Sequence, residues 1–360
     1  MSNNKIVMLM SGGVDSSVAA YLLKEQNFQV IGIHFKTVSD IVFSLIPETK
    51  KVCCSPSDTL DALKIADKLE LEDFQIVDIK EEFKEKIIDY FIKTYKNGKT
   101  PNPCMLCNRY FKFGKALEIA KEYNAEYIAS GHYILKEYSE KYSRFVLKKG
   151  IDKYKDQSYF LSYIKAENIP KLYFPLGNMH KTEIRDIAAN LELSVADKPD
   201  SQELCFIPDN DYRRYLKENK VEPNEGIVYD LEGNEVGTHS GYTNYTIGQR
   251  TGINYYKNFP VKMHVYKIIS EKNALVVAPT EKLYSNELIA TNVNFIIDFD
   301  KIEGLCRIRK KSEEKEAIIE KISENSLKVS FKEPIFAVTP GQFATVYDND
   351  GVILASGIIV

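Results

Sequence analysis

No stretch of this 360-residue chain approaches the apolar length of a membrane span. The polar opening Ser2-Asn-Asn4 leads into only five apolar residues, Ile6 to Met10, too few for a secretory signal. A membrane partner is therefore not expected, and a cytoplasmic location is. Charge of one sign is lacking too: a net charge of −3 excludes a basic field over the whole molecule. Internal repeats and low-complexity tracts are absent, which argues against solenoids and disordered tails. Cysteine is sparse, at six, and there is a single C-x-x-C, so the second pair that would complete a zinc ribbon is missing.

What is present begins near the amino end. Lys5-Ile-Val-Met-Leu-Met10 runs into Ser11-Gly-Gly-Val-Asp-Ser-Ser17, an apolar strand followed by a turn, and Val18, Ala19, Leu22 and Leu23 then recur at helical spacing. Gly12 and Gly13 carry no Cβ, so backbone N–H groups can approach phosphate oxygens closely, and the helix N-terminus adds unpaired donors and partial positive charge. Ser11, Ser16 and Ser17 supply hydroxyls. No Lys follows the glycines, which excludes the loop of enzymes that transfer a terminal phosphoryl group. An ordinary turn in a doubly wound sheet accounts for the glycines but not for three hydroxyls and an acid at these spacings. Asp15 has two readings, a magnesium ligand or a cap on backbone N–H groups.

The first half alternates strand and helix, which predicts a parallel sheet covered by helices. Strands are expected at Val30–Phe35, Phe74–Ile79 and Tyr127–Ala129, with helices through Leu60–Leu69 and from about Glu81 to Tyr95. Lys99-Thr-Pro-Asn-Pro103 must be a loop, and Leu106, Tyr110, Phe113 and Leu117 place a helix start near Cys107 or Asn108. Ser130-Gly-His132 falls where α/β sheets bind ligands. From about Asp209 the pattern turns to short strands, Val261–Ile269, Ala274–Ala278 and Phe336–Val338, punctuated by turns at Gly233, Gly341 and Gly351. The division expected is 1–208, an α/β domain; 209–281, a small β-rich domain; and 282–360, a second β domain.

The cysteines are the second strong signal. Cys104-Met-Leu-Cys107 lies between a proline loop and a helix, and Cys205 follows in Asp200-Ser-Gln-Glu-Leu-Cys-Phe206. A thiol at a helix start beside Arg109 and Lys112 has its thiolate favoured, as both a nucleophile and a metal ligand require. Three thiolates with one open position suit an iron–sulfur cluster whose fourth iron binds an external ligand. A transient disulfide between Cys107 and Cys205 is the other reading. Cys53, Cys54 and Cys306 read as small packing residues. Two basic segments stand out: Lys93 to Lys121 has seven Lys or Arg against Glu118 alone, and Arg307, Arg309, Lys310 and Lys311 crowd five positions. Both suit phosphate contacts, but the first taken alone reads better as a solvated helix face, and the blunting of a strand edge is a fair alternative for the second. His132 is balanced between the nucleotide and a local hydrogen bond, and Asp156, ahead of a Tyr-Phe-Leu run, reads as a helix cap.

Ser-Gly-Gly-Val-Asp-Ser-Ser resembles the PP-loop of the ATP pyrophosphatase superfamily, which splits ATP between the α and β phosphates to adenylate an oxygen. With Gly98-Lys-Thr-Pro-Asn-Pro-Cys-Met-Leu-Cys-Asn108, Ser130-Gly-His-Tyr133, Lys155-Asp-Gln-Ser-Tyr-Phe160, Asp200 to Phe206, Tyr245-Thr-Ile-Gly-Gln-Arg250 and Thr339-Pro-Gly-Gln-Phe343, the chain resembles the bacterial tRNA-specific 2-thiouridylases (the MnmA family) over its whole length. The resemblance implies an adenine nucleotide alpha hydrolase-like parallel sheet, a central β-rich domain and a C-terminal β-barrel that binds tRNA. It implies ATP with Mg2+, held by Leu9, Met10, Ser11, Gly12, Gly13, Val14, Asp15, Ser16, Phe35 and Gly131. Cys107 is then the nucleophile, and Cys205 carries the incoming sulfur. Asn102, Pro103 and Cys104 lie against the target base; Lys155, Asp156, Gln157, Arg307 and Ile308 lie against tRNA. The partners implied are the tRNAs for Lys, Glu and Gln and a sulfur donor, either a protein or inorganic sulfide, with the chain a monomer.

Position 104 is a departure, since Asp is the residue expected there. Cys104, Cys107 and Cys205 together resemble the cluster-dependent thiolases and favour a 4Fe-4S cluster over a cluster-free persulfide relay. Amidating PP-loop enzymes share the use of ATP but need an ammonia source, and no glutaminase-like module is seen. Enzymes that thiolate position 8 carry an RNA-binding domain ahead of the loop, whereas here the loop starts at residue 11.

Overall fold

The computed structural model describes residues 4–37, 56–200, 204–207, 209–221 and 223–360. Cys53 and Cys54 lie outside the described residues. Two compact units emerge: residues 1–86, 104–211 and 350–353 form one, and 87–103, 212–349 and 354–360 the other.

The first unit is built on a parallel sheet. Strand β1 (Lys5–Leu9) is buried from Ile6 onward, as its unbroken apolar run requires. It pairs with β2 (Gln29–Lys36) on one side and β4 (Tyr127–Ser130) on the other, while β3 (Asp73–Asp78) extends the β2 edge and the short β7 (Leu172–Tyr173) the β4 edge. The order β3-β2-β1-β4-β7 reverses direction beside β1. A crevice therefore opens at the carboxyl ends of β1 and β4, where such sheets take ligands. Helix α1 (Val14–Glu25) follows β1, and its buried Val18, Ala19 and Leu23 share a core with Ile184 and Ala188 of α8 (Lys181–Asn190) and with Ala62 and Ile65 of α2 (Pro56–Lys68). An antiparallel hairpin, β5 (Ile134–Ser139) with β6 (Arg144–Lys149), is an addition that the strand–helix alternation did not predict.

The helix expected from Glu81 to Tyr95 is present as α3 (Lys80–Phe83), a π-helical turn (Lys84–Ile88) and α4 (Asp89–Lys96). The helix expected to start near Cys107 begins earlier: α5 (Pro103–Cys107) leads through a wide π-helical segment (Asn108–Lys115) into α6 (Ala116–Glu122). Pro103 explains the shift, because proline is pre-organised for the first helical position, where its missing N–H is not needed.

The second unit holds two β assemblies and α9 (Tyr212–Glu218), on which residues 87–103 pack: Tyr95 stacks on Tyr212 at 5.1 Å, and Phe91 meets Tyr215 edge-on at 6.2 Å. A five-stranded sheet runs β10 (Ile253–Tyr255), β9 (Glu235–His239), β8 (Gly226–Tyr229), β12 (Ala274–Pro279), β11 (Met263–Ile269). Strands β13 (Tyr284–Phe295), β16 (Ser326–Phe336), β15 (Lys315–Ser323), β14 (Lys301–Arg307), β17 (Phe343–Tyr347) and β18 (Ile353–Ile359) close into a barrel. Closure leaves no free edge, which removes edge blunting as the reason for the basic run after Cys306. The strand expected at Phe336–Val338 stops at Phe336, because Ala337 turns to φ +53°, and Arg309 donates to the carbonyls of both Phe336 and Ala337.

Candidate active site

The loop between β1 and α1 has the form its residues dictate. Gly12 sits at φ +71°, and a Cβ there would lie 2.1 Å from the Asp58 carbonyl oxygen, so both conformation and space demand glycine. The Ser16 hydroxyl donates to the Gly13 carbonyl at 3.0 Å and accepts from the Ser11 N–H at 3.2 Å, which shapes the loop around the start of α1. Ser17 departs from expectation: it is buried and donates to the Gly13 carbonyl at 2.9 Å, bracing the turn rather than offering a donor outward. Ser11 is the exposed hydroxyl. Gly131 lies at the end of β4 directly on this helix start, where a Cβ would come within 2.7 Å of the Asp15 carbonyl carbon and the Ser16 nitrogen. Phe35 ends β2 on the far side of β1 and is partly exposed, so three strand ends converge on the loop.

The loop's negative groups are matched by two lysines from far along the chain. The Asp15 carboxylate accepts from Tyr133 Oη and Lys181 Nζ, each at 2.6 Å. Lys181 also contacts Asp200 at 2.7 Å, and Asp200 binds Lys155 at 2.7 Å. Lys198 Nζ spends its donors on the Gly12 carbonyl at 2.7 Å, Asp58 at 2.5 Å and Asp61 at 2.7 Å. A carbonyl and a carboxylate that would repel a polyphosphate are thus each occupied by a cation. These bonds make Asp15 an anchor for the loop, a role that neither the magnesium reading nor the backbone-cap reading names.

Burial raises the Asp200 pKa, but hydrogen bonds from Lys155 and Lys181 outweigh it and hold the carboxyl below its ordinary range. For Lys198, burial lowers the pKa, but Asp58 and Asp61 outweigh it and raise the ammonium above its ordinary value. The Asp200 contribution to stability is therefore present above about pH 4 and lost as pH falls through its folded value; that of Lys198 is complete below about pH 10 and lost as pH rises. Urea midpoints should fall below about pH 4, and Asp200→Asn should flatten part of that acid limb.

Cys104 and Cys107 stand one helical turn apart on α5, so they share a face, and both are partly exposed while Met105 and Leu106 turn into the core. The helix is anchored beyond them: Asn108 Nδ2 donates to the Phe160 carbonyl at 2.9 Å, and Arg109 donates to the Tyr163 carbonyl at 2.7 Å with its guanidinium 4.5 Å from that ring. Cys205 comes from the segment after Asp200. Phe206, next to Cys205, meets Phe83 at 6.0 Å, and Phe83 meets Phe111, four residues beyond Cys107, at 5.8 Å. Cys104, Cys107, Cys205 and Cys306 are thiols, not disulfide halves. Cys306 is a buried packing residue, as expected, and burial pushes its pKa up.

The expected 4Fe-4S cluster is not supported. A cluster needs three thiolates already gathered around it, and among the described residues no three His, Cys, Asp or Glu side chains are grouped to hold a metal. The same observation bears on magnesium, which binds through one or two carboxylates plus substrate phosphates rather than in an all-protein cage.

Other expected contacts are placed differently from one another. His132 takes the local role, with Nδ1 2.8 Å from Ser130 Oγ and its ring on Phe113; burial first, then the Lys112 charge, hold its pKa well below the ordinary imidazole value. Asp156 bonds locally, one position ahead of the N-cap Gln157, accepting from the Ser158 N–H at 3.2 Å and its hydroxyl at 2.7 Å. Asn102 and Pro103 belong to the second unit and are buried; Gln342 supports their loop by donating to the Thr100 and Pro101 carbonyls at 3.1 Å each. In the barrel, Arg307 lies 3.7 Å from Glu314, and the Ile308 side chain is only 1% exposed. Lys181, Lys198, Asp58, Asp61 and Tyr133 were not singled out from the sequence, since no local spacing links them to a loop more than a hundred residues away for the lysines.

Residues 4–209 match the family described as tRNA methyl transferase HUP domain, 213–279 the tRNA methyl transferase PRC-barrel domain, and 285–359 the aminomethyltransferase beta-barrel domain. The chain is 76% identical to the tRNA-specific 2-thiouridylase MnmA of Petrotoga mobilis over 359 residues, covering 100% of this chain and 98% of that one. The chain belongs to the tRNA-specific 2-thiouridylase family. It is also 45% identical to tRNA-specific 2-thiouridylase MnmA of Thermotoga maritima, over 98% of this chain and 99% of that one. With MnmA 1 of Caldanaerobacter subterraneus subsp. tengcongensis the identity is 45%, over 99% and 98%. The expected layout of parallel sheet, central β-rich part and closed C-terminal barrel matches these three family segments. Among the described residues no helix is long and apolar enough to cross a membrane.

Proposed function

We propose that this chain replaces the C2 oxygen of the wobble uridine in the tRNAs for Lys, Glu and Gln by sulfur, at the cost of ATP. The uracil O2 attacks the α phosphorus, pyrophosphate leaves, and a poor leaving group becomes AMP. The observation that carries this reading is the PP-loop, with its negative groups neutralised and Gly131 packed on its helix start, in a chain of this family. Magnesium carried by the ATP phosphates would offset their charge.

Sulfur transfer rests on thiols alone. Cys205 carries sulfur as a persulfide, received from a donor protein or from sulfide with an oxidant. Its terminal sulfur attacks C2, the C–O bond to AMP breaks, and a C2–S–S–Cys205 linkage forms. The Cys107 thiolate then attacks the Cys205 sulfur, which releases 2-thiouridine and leaves a Cys107–Cys205 disulfide for an external dithiol to reduce. The shared packing through Phe83 supports a short reach between the two. Cys104, on the same face as Cys107, lies beside the base. A base within a stacked anticodon loop cannot reach the phosphate loop, so the wobble nucleotide is extruded.

The assay that tests this measures AMP and pyrophosphate on addition of tRNA in the absence of glutamine; ADP and phosphate, or dependence on an ammonia source, would reject it. Arg307 contributes to tRNA affinity from the barrel. Arg307→Ala should weaken tRNA binding across sequences and reduce the slope of log affinity against log salt by about one, as filter binding at several salt concentrations would show.

A further inference from the structure

The loop 151–157 is held from within its own unit on both flanks. Asp152 Oδ1 accepts from the backbone N–H groups of Tyr154 at 3.0 Å and Lys155 at 3.2 Å, and its Oδ2 accepts from the Lys181 N–H at 3.0 Å. Asp156 accepts from the Gly150 N–H at 3.1 Å and from Ser158, and Gln157 Oε1 accepts from the Tyr133 N–H at 2.9 Å. Lys155 reaches back to Asp200 at 2.7 Å. The three side chains that the resemblance assigns to tRNA, Lys155, Asp156 and Gln157, each have a partner inside this unit.

What the loop presents outward is Tyr154, 99% exposed, with exposed Lys153 beside it. The backbone beneath it is already fixed, so a partner landing on the ring has little to order. The bond from Tyr133 to Gln157 sets the loop just past the carboxyl end of β4, next to Gly131 and the phosphate loop. We propose that Tyr154 is a stacking platform for an unpaired base of tRNA, with Lys153 beside it for the adjoining phosphate. This rests on the tRNA reading above and names the contact that this face supplies. A planar π-face next to one cation, on a rigid loop beside a nucleotide site, fits a nucleobase and its phosphate.

The test compares Tyr154→Ala, Tyr154→Phe and Tyr154→Trp in the full chain, by binding of unmodified tRNA. Tyr154→Ala should raise the Kd about tenfold without changing the salt slope, since no phosphate contact is lost, and Tyr154→Phe should change it less than about twofold. The chain contains no tryptophan, so Tyr154→Trp introduces a single reporter whose emission should be quenched by tRNA in proportion to occupancy. Wild-type affinity in Tyr154→Ala, with Trp emission indifferent to bound tRNA, would overturn the platform while leaving the function standing. Failure of the wild-type chain to bind tRNA at all would overturn both.

Discussion

Cys107→Ser is expected to lower 2-thiouridine formation by about 10³-fold or more while leaving tRNA affinity within about twofold of wild type. Serine keeps the size and the hydrogen bonding of the side chain, and the residues that anchor α5 around it are elsewhere: Met105 and Leu106 in the core, Asn108 on the Phe160 carbonyl, Arg109 on Tyr163. What it loses is a thiolate able to open an S–S bond, for which a hydroxyl at neutral pH is no substitute. Adenylation precedes that step, so AMP should still form, once per bound tRNA. Nucleoside analysis and AMP measurement on the same sample separate the two; equal loss of AMP and thiouridine would move Cys107 into nucleotide chemistry. Cys104→Ser is the companion, since a thiol relay through Cys107 and Cys205 tolerates it.

Gly131→Ala should abolish detectable ATP binding, a loss of at least about 30-fold in affinity. The added methyl would meet backbone, not a flexible side chain: the Asp15 carbonyl carbon and Ser16 nitrogen lie 2.7 Å away. That helix start cannot simply retreat, because Ser16 and Ser17 both tie it to the Gly13 carbonyl and Asp15 is held by Tyr133 and Lys181. Overpacking of this kind costs about 1–3 kcal/mol, so the thermal midpoint should fall as well. Gly233→Ala is the control: it sits at φ +85° but a Cβ there meets nothing within 4 Å, so it should cost stability through backbone strain and leave ATP binding intact. Isothermal titration with a non-hydrolysable ATP analogue distinguishes the two variants.

The parallel sheet and the phosphate loop were legible because both are local: a five-residue apolar strand, two glycines and a periodic helix lie within twenty residues of one another. The helix that bears the thiols starts four residues ahead of where its apolar spacing puts it, since two nearby prolines signal a loop although Pro103 opens the helix. The hairpin β5–β6 and the wide π-helical turns left no recognisable spacing. Lys181 and Lys198 were illegible for a different reason. Each is an unremarkable lysine in its own helix or loop, and only the crossover of the sheet brings it to Asp15 and to the Gly12 carbonyl. Of the basic run at 307–311, Arg309 holds a strand end, and Lys155 pairs with the half-buried Asp200, while Tyr154 beside it is exposed. The cluster reading came from counting cysteines, which says nothing of whether their side chains meet.

If the first unit couples ATP cleavage to sulfur transfer as proposed, with the Asp15–Lys181–Asp200 bonds tying the phosphate loop to Asp200, AMP and thiouridine must appear together. The measurement that tests it most directly is mass spectrometry of nucleosides from tRNA incubated with the purified chain, ATP and a persulfide donor, with AMP counted in parallel. Expected are 2-thiouridine at the wobble position, one AMP for each sulfur inserted, in protein free of iron, and none without ATP. Thiouridine formed only after iron–sulfur reconstitution, or AMP released with no sulfur entering the base, would contradict it.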